Sequence, residues 1–461
     1  MIENIYMQSP IWMQNIFVTA AGLQLHLQRK GGKYRQYLNL IKDNQTQTLD
    51  SMESIQLRSL KQIISHSFNS VPFYQEWSRN NCVTVADINS IKDISILPVI
   101  EKEDIRQNPD CYCSSHMLNK SGNFNLYTSG TTGKPLVVSC DKESRRCHFA
   151  YWERFIGWFG VGSNSWRATF CGRVVVPQGQ NKPPYWRYDP VQRNVLFSSY
   201  HLSKDNMPFY VKKLRQIEPS YLDGYPSSLA FIANYMLNHK EPPIKNLKAV
   251  FTSAETLLPY QREVIMQAFQ VPVADQYGCT EMAVFISQCD HGSYHVNSDY
   301  SLLEVLNENG EPSSPGEWGE AICTVFVNKT MPLIRYRVGD LLRAPEPSFC
   351  PCGLPFPVTK EIIGRKDETI QTPDGRRIGR LDPVFKGLEN IIETQLVQTG
   401  VNVLLVRLVP STNYSASDKH KLLQALKVRI GNDMIIQFEL LNEIPRDANG
   451  KFRFIISKIN E

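Results

Sequence analysis

The stretch Tyr127–Pro135, YTSGTTGKP, decides what kind of protein this sequence encodes. It combines hydroxyl side chains, small residues and one cation: Thr128, Ser129, Gly130, Thr131, Thr132, Gly133 and Lys134. Glycine lets a ligand approach the backbone closely, and hydroxyl and ammonium donors suit phosphate oxygens. The stretch therefore predicts a phosphate-binding loop. The alternative is an ordinary hairpin turn rich in small polar residues.

The spacing of this loop differs from that of the familiar P-loop. A P-loop has four residues between its glycines, and a helix follows its lysine. Here only Thr131 and Thr132 separate the glycines, and Pro135 and the strand-like LVVS follow the lysine. The loop is therefore predicted to join two strands.

Length and composition indicate a globular protein with two or more domains. The 461 residues exceed one ordinary core, and 42% are hydrophobic while 21% are charged. The net charge of +5 is mild, and no run of like charges suggests a nucleic-acid tail, so we expect no nucleic-acid partner. The 11 cysteines, an odd number, are typical of a reducing compartment, so we expect a cytoplasmic protein.

An apolar stretch near the N-terminus does not predict a transmembrane segment. Residues Ile11–Leu27 are interrupted by glutamine, asparagine and histidine, and the basic residues follow the stretch, whereas a secretory signal carries them before it. We expect an amphipathic helix on the protein's own surface, with a weak membrane-surface role as the alternative.

The pattern along the chain indicates an α/β core and a separate C-terminal unit. Residues 1–115 look helical, with surface-helix spacing in 52–68, and from Phe124 onward β-rich runs such as 248–252 alternate with helices. A glycine-rich, charged segment at 362–379 then suggests a linker. Beyond it, strands at 401–409 and 434–441 flank a helix at 417–430, which predicts a small α+β domain.

The phosphate loop resembles the signature loop of the adenylate-forming superfamily, which contains acyl- and aryl-CoA ligases, firefly luciferase and peptide-synthetase adenylation domains. Four further motifs follow in the family's order: YGCTE at 277–281, RYRVGD at 335–340, GRKDE at 364–368 and PRDANGKFR at 445–453. Two details depart from the family pattern, since Glu368 stands where a second aspartate is usual and Phe452 follows the lysine of the last motif.

Most roles implied by the resemblance concern ATP and Mg²⁺. The glycine-rich loop would hold the β- and γ-phosphates, Thr280 would touch phosphate and Glu281 would hold Mg²⁺. Asp340 and Arg365 would bind the ribose hydroxyls. The nucleotide site would be completed by Ser253, Ala254, Glu255, Gln276, Tyr277 and Gly278.

The resemblance also implies the architecture. It predicts an α/β fold: a large N-terminal adenylate-forming domain with mixed β-sheets and helices at residues 1–365, and a small mobile α+β C-terminal domain at 366–461. Lys451 would neutralise charge on the reacting phosphate as the catalytic lysine. Asp367 would be the pivot, since loop residues tolerate two conformations; its alternative is a solvated acidic residue.

Within the superfamily the chain is most similar to the phenylacetate–CoA ligase branch and its capsular-polysaccharide-biosynthesis-like members. The similarity lies in GYPS at 224–227, SAE at 253–255 and TPDGRRIGRLD at 372–382. The implied reaction converts a carboxylic acid and ATP to an acyl-adenylate and pyrophosphate, then transfers the acyl group to CoA. The oligomeric state is left open, and a homodimer is possible.

Two alternatives to this reaction also stay open. One is an amide ligase that joins the acid to an amine in polysaccharide or secondary-metabolite biosynthesis. The other is a nucleotide-binding scaffold without catalysis. Retention of Lys451, Glu281 and Asp340 argues against the scaffold.

Cysteine and histidine pairs suggest a structural zinc ion. Cys289 and His291 lie before Cys350 and Cys352, and three thiolates with one imidazole form a closed zinc set. His295 is a substitute for His291, and a metal-free cluster is the alternative. A second close pair, Cys111 and Cys113, has no histidine partner and is interpreted as free thiols.

The acid pocket is the least predictable part of the sequence. Aromatic and basic side chains crowd residues 151–188: Trp152, Arg154, Phe155, Trp158, Trp166, Arg167, Trp186 and Arg187. An aromatic wall suits an aryl acid, and an arginine suits an acid with a second polar group. The alternative is that these residues build the core, so the identity of the acid stays open.

Overall fold

The computed structural model describes residues 2–117, 122–128, 136–177, 179–347, 350–365, 369–373, 377–378, 381, 384, 388, 390–447 and 450–459. These residues form the following α-helices: α1 (Ile2–Gln8), α2 (Ile11–Lys30), α3 (Tyr34–Asn44), α4 (Leu49–Ser70), α5 (Pro72–Asn81), α6 (Lys102–Gln107), α7 (Lys142–Gly157), α8 (Met207–Ile217), α9 (Pro226–Asn238), α10 (Pro259–Phe269) and α11 (Ala416–Ile430).

The strands begin after the six N-terminal helices. They are β1 (Phe124–Tyr127), β2 (Val137–Cys140), β3 (Arg167–Cys171), β4 (Trp186–Asp189), β5 (Asn194–Ser198), β6 (Tyr221–Gly224), β7 (Ala249–Ser253), β8 (Val273–Gly278), β9 (Phe285–Gln288), β10 (Tyr294–Val296), β11 (Ser301–Leu306), β12 (Trp318–Val325), β13 (Tyr336–Arg343), β14 (Val358–Thr359), β15 (Ile362–Arg365), β16 (Ile370–Gln371), β17 (Arg377–Ile378), β18 (Ile391–Gly400), β19 (Val403–Pro410), β20 (Ile435–Leu440) and β21 (Ile455–Ser457).

The helical start predicted from the sequence is confirmed, with one difference in how α2 faces the protein. Helix α4 extends over the predicted 52–68 segment. Helix α2 instead buries Gln14, Gly22 and Arg29, while apolar side chains such as Trp12 (62% exposed) and Ile16 (57% exposed) face outward. The buried polar residues are retained because they have partners, as when Gln14 accepts hydrogen bonds from the Arg187 guanidinium. No helix of the described residues is long and apolar enough to cross a membrane.

One large sheet carries the core of the N-terminal part. Its nine strands run in the order β14-β10-β9-β8-β7-β6-β3-β5-β4, and β8, β7, β6, β3 and β5 are mutually parallel. Helices α8, α9 and α10 cover one face through an apolar cluster, and α3 and α7 cover the other. The carboxyl ends of the parallel strands therefore meet at one edge, where open α/β sheets bind ligands.

Three smaller sheets complete the described N-terminal and linker segments. Strands β1 and β2 pair as an antiparallel hairpin, which confirms that two strands flank the glycine-rich loop. The order β11-β12-β13-β15 forms a second sheet, and β16 pairs with β17.

The C-terminal segment has a core of its own. Strands in the order β20-β19-β18-β21 form a sheet, and the buried face of α11 packs on it in one apolar cluster. This arrangement confirms the two predicted strands and the predicted helix. The sequence analysis did not predict β18 and β21, the pair of strands that completes the sheet.

Candidate active site

Several predicted nucleotide residues lie at the carboxyl edge of the large sheet. Ser253 ends β7 and is directly opposite Gln276 of β8. Gly224 ends β6, where a Cβ atom would lie 2.4 Å from the Phe170 carbonyl oxygen of β3, so the close approach of the two strands requires glycine. Gly278 ends β8, two residues before the exposed Thr280. Parallel pairing thus brings residues from distant motifs to one edge.

The predicted Mg²⁺ ligand, Glu281, is buried and already has two partners. Its Oε1 accepts a hydrogen bond from the Tyr336 hydroxyl at 2.8 Å and lies 3.3 Å from Lys102 Nζ. Lys102 comes from α6, far from every motif, and the sequence analysis missed it. The ammonium group offsets the cost of burying the carboxylate.

The two predicted ribose positions lie opposite each other on paired strands. Asp340 of β13 is in register with Arg365 of β15. Asp340 Oδ2 accepts a hydrogen bond of 2.5 Å from the Tyr277 hydroxyl, which joins the second and third motifs. Burial and the neighbouring Asp340 carboxylate raise the pKa of Tyr277, so the phenol keeps its proton and acts as a donor.

Part of the predicted site lies outside the described residues. This applies to Ser129, Gly130, Thr131, Thr132, Gly133, Lys134 and Asp367. At the start of the loop, Thr128 is buried, and its Oγ1 accepts a hydrogen bond from the Leu136 amide at 2.9 Å. The ends of the loop are therefore fixed to each other.

The loop that carries Lys451 lies against the N-terminal part. The Lys451 amide donates to Asp447 Oδ1 at 2.8 Å, which closes a tight turn. The next amide, of Phe452, donates to Glu255 Oε1 at 2.6 Å. Gly450 packs on the Tyr200 ring, where a Cβ atom would lie 3.1 Å from the nearest ring carbon. Two contacts thus bring the predicted catalytic lysine to the carboxyl edge of the large sheet.

Glu255 joins the two parts of the chain at this contact. Besides Phe452, its carboxylate accepts hydrogen bonds from the amide (3.0 Å) and hydroxyl (3.1 Å) of Ser227 at the start of α9. Burial raises the pKa of Glu255 to about 7, although these hydrogen bonds oppose the rise. The residue lies at the edge where the adenine is expected, while its carboxylate bridges α9 and the lysine loop.

Three cysteines and one histidine converge away from this edge. The metal-binding atoms of Cys289, His295, Cys350 and Cys352 all lie within 4.8 Å of one another. His295 replaces the predicted His291 in this set, because His291 lies on an exposed turn beside Asp290. His295 is buried on β10, and its Nδ1 lies 3.1 Å from the Phe356 carbonyl oxygen.

Two arginines considered for the acid pocket have structural roles instead. Arg154 is fully buried and forms a two-point contact with Asp299, at 2.7 and 3.0 Å. Arg187 is buried against Gln14 and the carbonyls of Pro184 and Trp186. For these two residues the structure favours the alternative interpretation, that they build the core, because their guanidinium groups are buried and hydrogen-bonded to other parts of the chain.

The large sheet, the carboxyl-edge motifs and the docked lysine loop together define an adenylate-forming ligase. Residues 370–458 match the family described as CapK C-terminal domain. The whole chain is 30% identical over 466 residues to Protein CapK of Staphylococcus aureus, with 100% of both chains covered. It is 21% identical to the phenylacetate-coenzyme A ligase of Thermus thermophilus, covering 88% of this chain and 96% of the relative.

The fold is also that of a solved CoA ligase. A crystal structure of 2-hydroxyisobutyryl-CoA ligase with a bound acyl-adenylate superposes with a TM-score of 0.72 at 19% identity, covering 90% of this chain and 91% of the other. The chain belongs to the adenylate-forming superfamily, in the branch that contains CapK and the phenylacetate–CoA ligases.

Proposed function

We propose that this protein uses ATP and Mg²⁺ to convert a carboxylic acid to an acyl-adenylate with release of pyrophosphate, and then transfers the acyl group to CoA. The observation that carries the proposal is the position of the Lys451 loop. It contacts Glu255 and Tyr200 at the edge where Ser253, Gln276 and Gly278 converge. A cation at that edge can offset the negative charge that develops at the α-phosphate.

Mg²⁺ is proposed to bind at Glu281. Mg²⁺ commonly takes one or two protein carboxylates and completes its shell with phosphate oxygens and water. Glu281 is a single buried carboxylate at the end of the YGCTE motif, which fits that requirement. The ion would neutralise phosphate charge, while Lys102 and Tyr336 keep the carboxylate oriented.

The second half-reaction is proposed to follow a rotation of the C-terminal domain, at 366–461, about Asp367. The described contacts of the lysine loop with the N-terminal part include a polar one, from the Phe452 amide to Glu255, and polar contacts are typical of interfaces between domains that move. Rotation would break the Phe452–Glu255 hydrogen bond and open the adenylate to the thiol of CoA.

Acid-dependent exchange of pyrophosphate into ATP tests the first step. The expected result is exchange that requires both an acid and Mg²⁺, and that falls at least about 100-fold in Lys451→Ala. Lys458→Ala is the matched control, because Lys458 is exposed on the same domain. Exchange that needs no acid, or that survives in Lys451→Ala, would overturn the proposal.

The acceptor is tested separately on the preformed adenylate. CoA is expected to release AMP and yield a thioester. Release of AMP by an amine but not by CoA would replace the ligation to CoA with an amide ligation, and would leave the first step unchanged.

A structural Zn²⁺ ion is proposed at Cys289, His295, Cys350 and Cys352. With bonds of about 2.3 Å to sulfur, a tetrahedral zinc site holds its sulfur atoms about 3.8 Å apart; Cys289 Sγ and Cys350 Sγ lie 3.7 Å apart. His295 Nε2 lies 3.2 Å from Cys352 Sγ, while the Phe356 carbonyl oxygen orients its other nitrogen. Such a hydrogen bond to the second ring nitrogen is usual for zinc-binding histidines.

Metal analysis of the purified protein tests this site. We expect one zinc ion per chain, its loss in Cys352→Ser and in His295→Asn, and its retention in His291→Asn and in the exposed Cys111→Ser. Equal zinc content in wild type and Cys352→Ser would contradict the site.

A further inference from the structure

An arginine cluster lies around α2, α7 and one face of the large sheet: Arg29, Arg145, Arg167 and Arg173. Arg173 is exposed after β3 and acts on Arg29 through its charge. The guanidinium carbon of Arg29 lies 4.2 Å from the centre of the Phe149 ring, and that of Arg145 lies 5.7 Å from the same centre. The two charges are therefore at most about 10 Å apart. Arg167 reaches the group from β3, where its Nη1 donates to the Tyr221 hydroxyl at 3.3 Å.

In the described part of the chain, this arginine cluster lacks the carboxylate partners that two structural arginines have. Arg154 binds both oxygens of Asp299, and Arg335 binds both oxygens of Glu304. Among the described residues, no carboxylate lies within 4.0 Å of the four clustered guanidinium groups. Arg29 Nη1 donates to Gln192 Oε1 at 3.3 Å. The Nε atoms of Arg29, Arg145 and Arg167 are buried and have no hydrogen-bond partner in that part of the chain, as is also true of Arg154 Nε.

The nearby carboxylates are engaged with other groups. Asp189 accepts hydrogen bonds from the amide and side chain of Gln192, and Asp223 accepts one from the Thr169 hydroxyl. Asp141 caps the start of α7 through the Ser144 amide.

The charges of the cluster act on one another and on their surroundings. Burial, together with repulsion from Arg173, Arg145 and Arg167, lowers the pKa of Arg29 to about 9, and Asp189 opposes this only in part. Burial, together with Arg145 and Arg29, lowers the pKa of His148 on α7 to about 4. Arg29 and His148 thus lie in a positive potential that a bound anion would relieve. Arg167 differs, because the neighbouring Tyr221 and Asp223 raise its pKa and stabilise its charge.

The cluster reaches the proposed adenylation site. Arg173 follows the end of β3, where its amide donates to the Cys171 carbonyl at 2.8 Å. The intervening Gly172 carbonyl accepts a hydrogen bond of 3.0 Å from the Tyr200 hydroxyl, and Tyr200 is the residue on which Gly450 packs. Tyr200 therefore connects the backbone that precedes Arg173 to the lysine loop.

We propose that the arginine cluster is the distal part of the acid pocket, and that the substrate is an acid with a second anionic group, a carboxylate or a phosphate. The carboxylate to be activated would lie near Lys451, while the second anion would lie between α2, α7 and β3. This inference rests on the proposed adenylation function and names its substrate class. Guanidinium groups bind carboxylate and phosphate with paired hydrogen bonds, which suits either anion.

Pyrophosphate exchange with matched acids tests the inference. The pairs are phenylacetate with 4-carboxyphenylacetate, butanoate with succinate, and glycerate with 3-phosphoglycerate. We expect the member with the second anion to have the higher kcat/KM in at least one pair, by about tenfold or more. The three pairs also distinguish carboxylate from phosphate and aryl from alkyl skeletons.

Variants then attribute the preference to the cluster. Arg145→Gln and Arg29→Gln should each reduce the preference about tenfold without changing the KM for ATP, and Arg29→Lys should restore part of it. Arg193→Gln is the matched control, because Arg193 is an arginine outside the cluster that donates to the Asn164 carbonyl. If Arg29→Gln does not fold, Arg145→Gln still decides the point.

The outcomes separate this inference from the proposed function. Exchange that favours the monoanionic acid in every pair, or a preference unchanged in both arginine variants, would overturn the inference and leave adenylation intact. Absence of exchange with every acid, at an ATP affinity that thermal shift shows to be normal, would overturn the adenylation function together with the inference.

Discussion

At the nucleotide end of the site, the predicted acidic residues have protein partners before any ligand binds. Glu281 forms an ion pair with Lys102 and accepts a hydrogen bond from the Tyr336 hydroxyl. Asp340 accepts a hydrogen bond from the Tyr277 hydroxyl. In the arginine cluster, by contrast, no ion pair is formed among the described residues, and repulsion between the arginines lowers the pKa of Arg29. The first region is electrostatically balanced in the free protein, and the second is balanced only in part, at Arg167.

This difference shows what each region requires from its ligand. A buried carboxylate that has hydrogen bonds and a counter-charge within the protein costs little folding free energy when no ligand is bound. Clustered cations repel one another until an anion binds. We therefore expect changes at the nucleotide end to destabilise the free protein, and loss of a cation from the cluster to have the opposite sign.

Lys102→Met should have the largest effect on stability. It leaves the buried Glu281 carboxylate without its counter-charge. Breaking such a pair costs about 3 kcal/mol at the lower end of the usual range. The lower end applies because the Lys102 side chain is 27% exposed. Urea unfolding measures the change, with the exposed Lys92→Met as control. A loss no larger than that of the control would show that the nucleotide end is not balanced by this pair.

Glu255→Gln should change how stability depends on pH. The pKa of Glu255 is raised from 4.5 to about 7 in the folded protein, so the folded state binds the proton more tightly than the unfolded state. The resulting stabilisation is complete below pH 4.5 and is lost as the pH rises through 7. The part of this stabilisation that is lost between pH 5 and pH 8 is about 2 to 3 kcal/mol.

The variant lacks this proton, so the difference between wild type and Glu255→Gln isolates it. The unfolding free energies of wild type and Glu255→Gln should be most alike near pH 5, where Glu255 is protonated. They should differ most near pH 8, where Glu255 has lost its proton. Glu263→Gln, an exposed carboxyl on α10, is expected to leave the wild-type slope unchanged. Parallel pH profiles for wild type and Glu255→Gln would contradict the assignment.

Tyr277→Phe should affect ATP and leave acid selection unchanged. The variant removes one hydrogen bond to Asp340, which is worth about 1 kcal/mol, so the KM for ATP should rise about fivefold. The ratio of kcat/KM values within each acid pair should stay constant. A change in that ratio would show that the two ends of the site are not independent.

Arg173→Gln should have the smallest effect, and its sign is the informative part. Arg173 is exposed, and it repels the buried Arg29. Removing it should raise the free energy of unfolding by about 0.5 kcal/mol at low salt, and added salt should reduce this gain. A destabilisation would indicate that the cluster is balanced by groups not considered above.

The two regions also differ in how far sequence could predict them. The nucleotide end is encoded in short motifs, because glycines, hydroxyls and strand-end acids act over a few consecutive residues. The hairpin around the loop, the α/β core and the C-terminal α+β unit were predicted on the same local grounds. The opposition of Asp340 and Arg365 depends on strand register, which no local pattern specifies.

The arginine cluster could not be predicted, because its members come from α2, α7, β3 and the loop after β3. The aromatic and basic segment 151–188 includes Arg167, which belongs to the cluster. It equally includes Arg154 and Arg187, whose partners Asp299 and Gln14 lie more than a hundred residues away in the sequence. Sequence therefore gives no means to distinguish a paired arginine from an unpaired one. His295 was preferred over His291 only once strand β10 placed it beside Cys352.

Helix α2 keeps its polar residues inside and supplies Arg29 from its last turn. It contributes none of the motifs that handle ATP, so in the proposed acid pocket the residues that activate the acid and those that select it would lie on separate segments of the chain. A descendant of this chain could acquire a new acid by altering one N-terminal helix while every nucleotide-binding residue stayed the same. In such a lineage, relatives with identical motifs would differ in substrate, and the sequence of α2 would be the place to look for the difference.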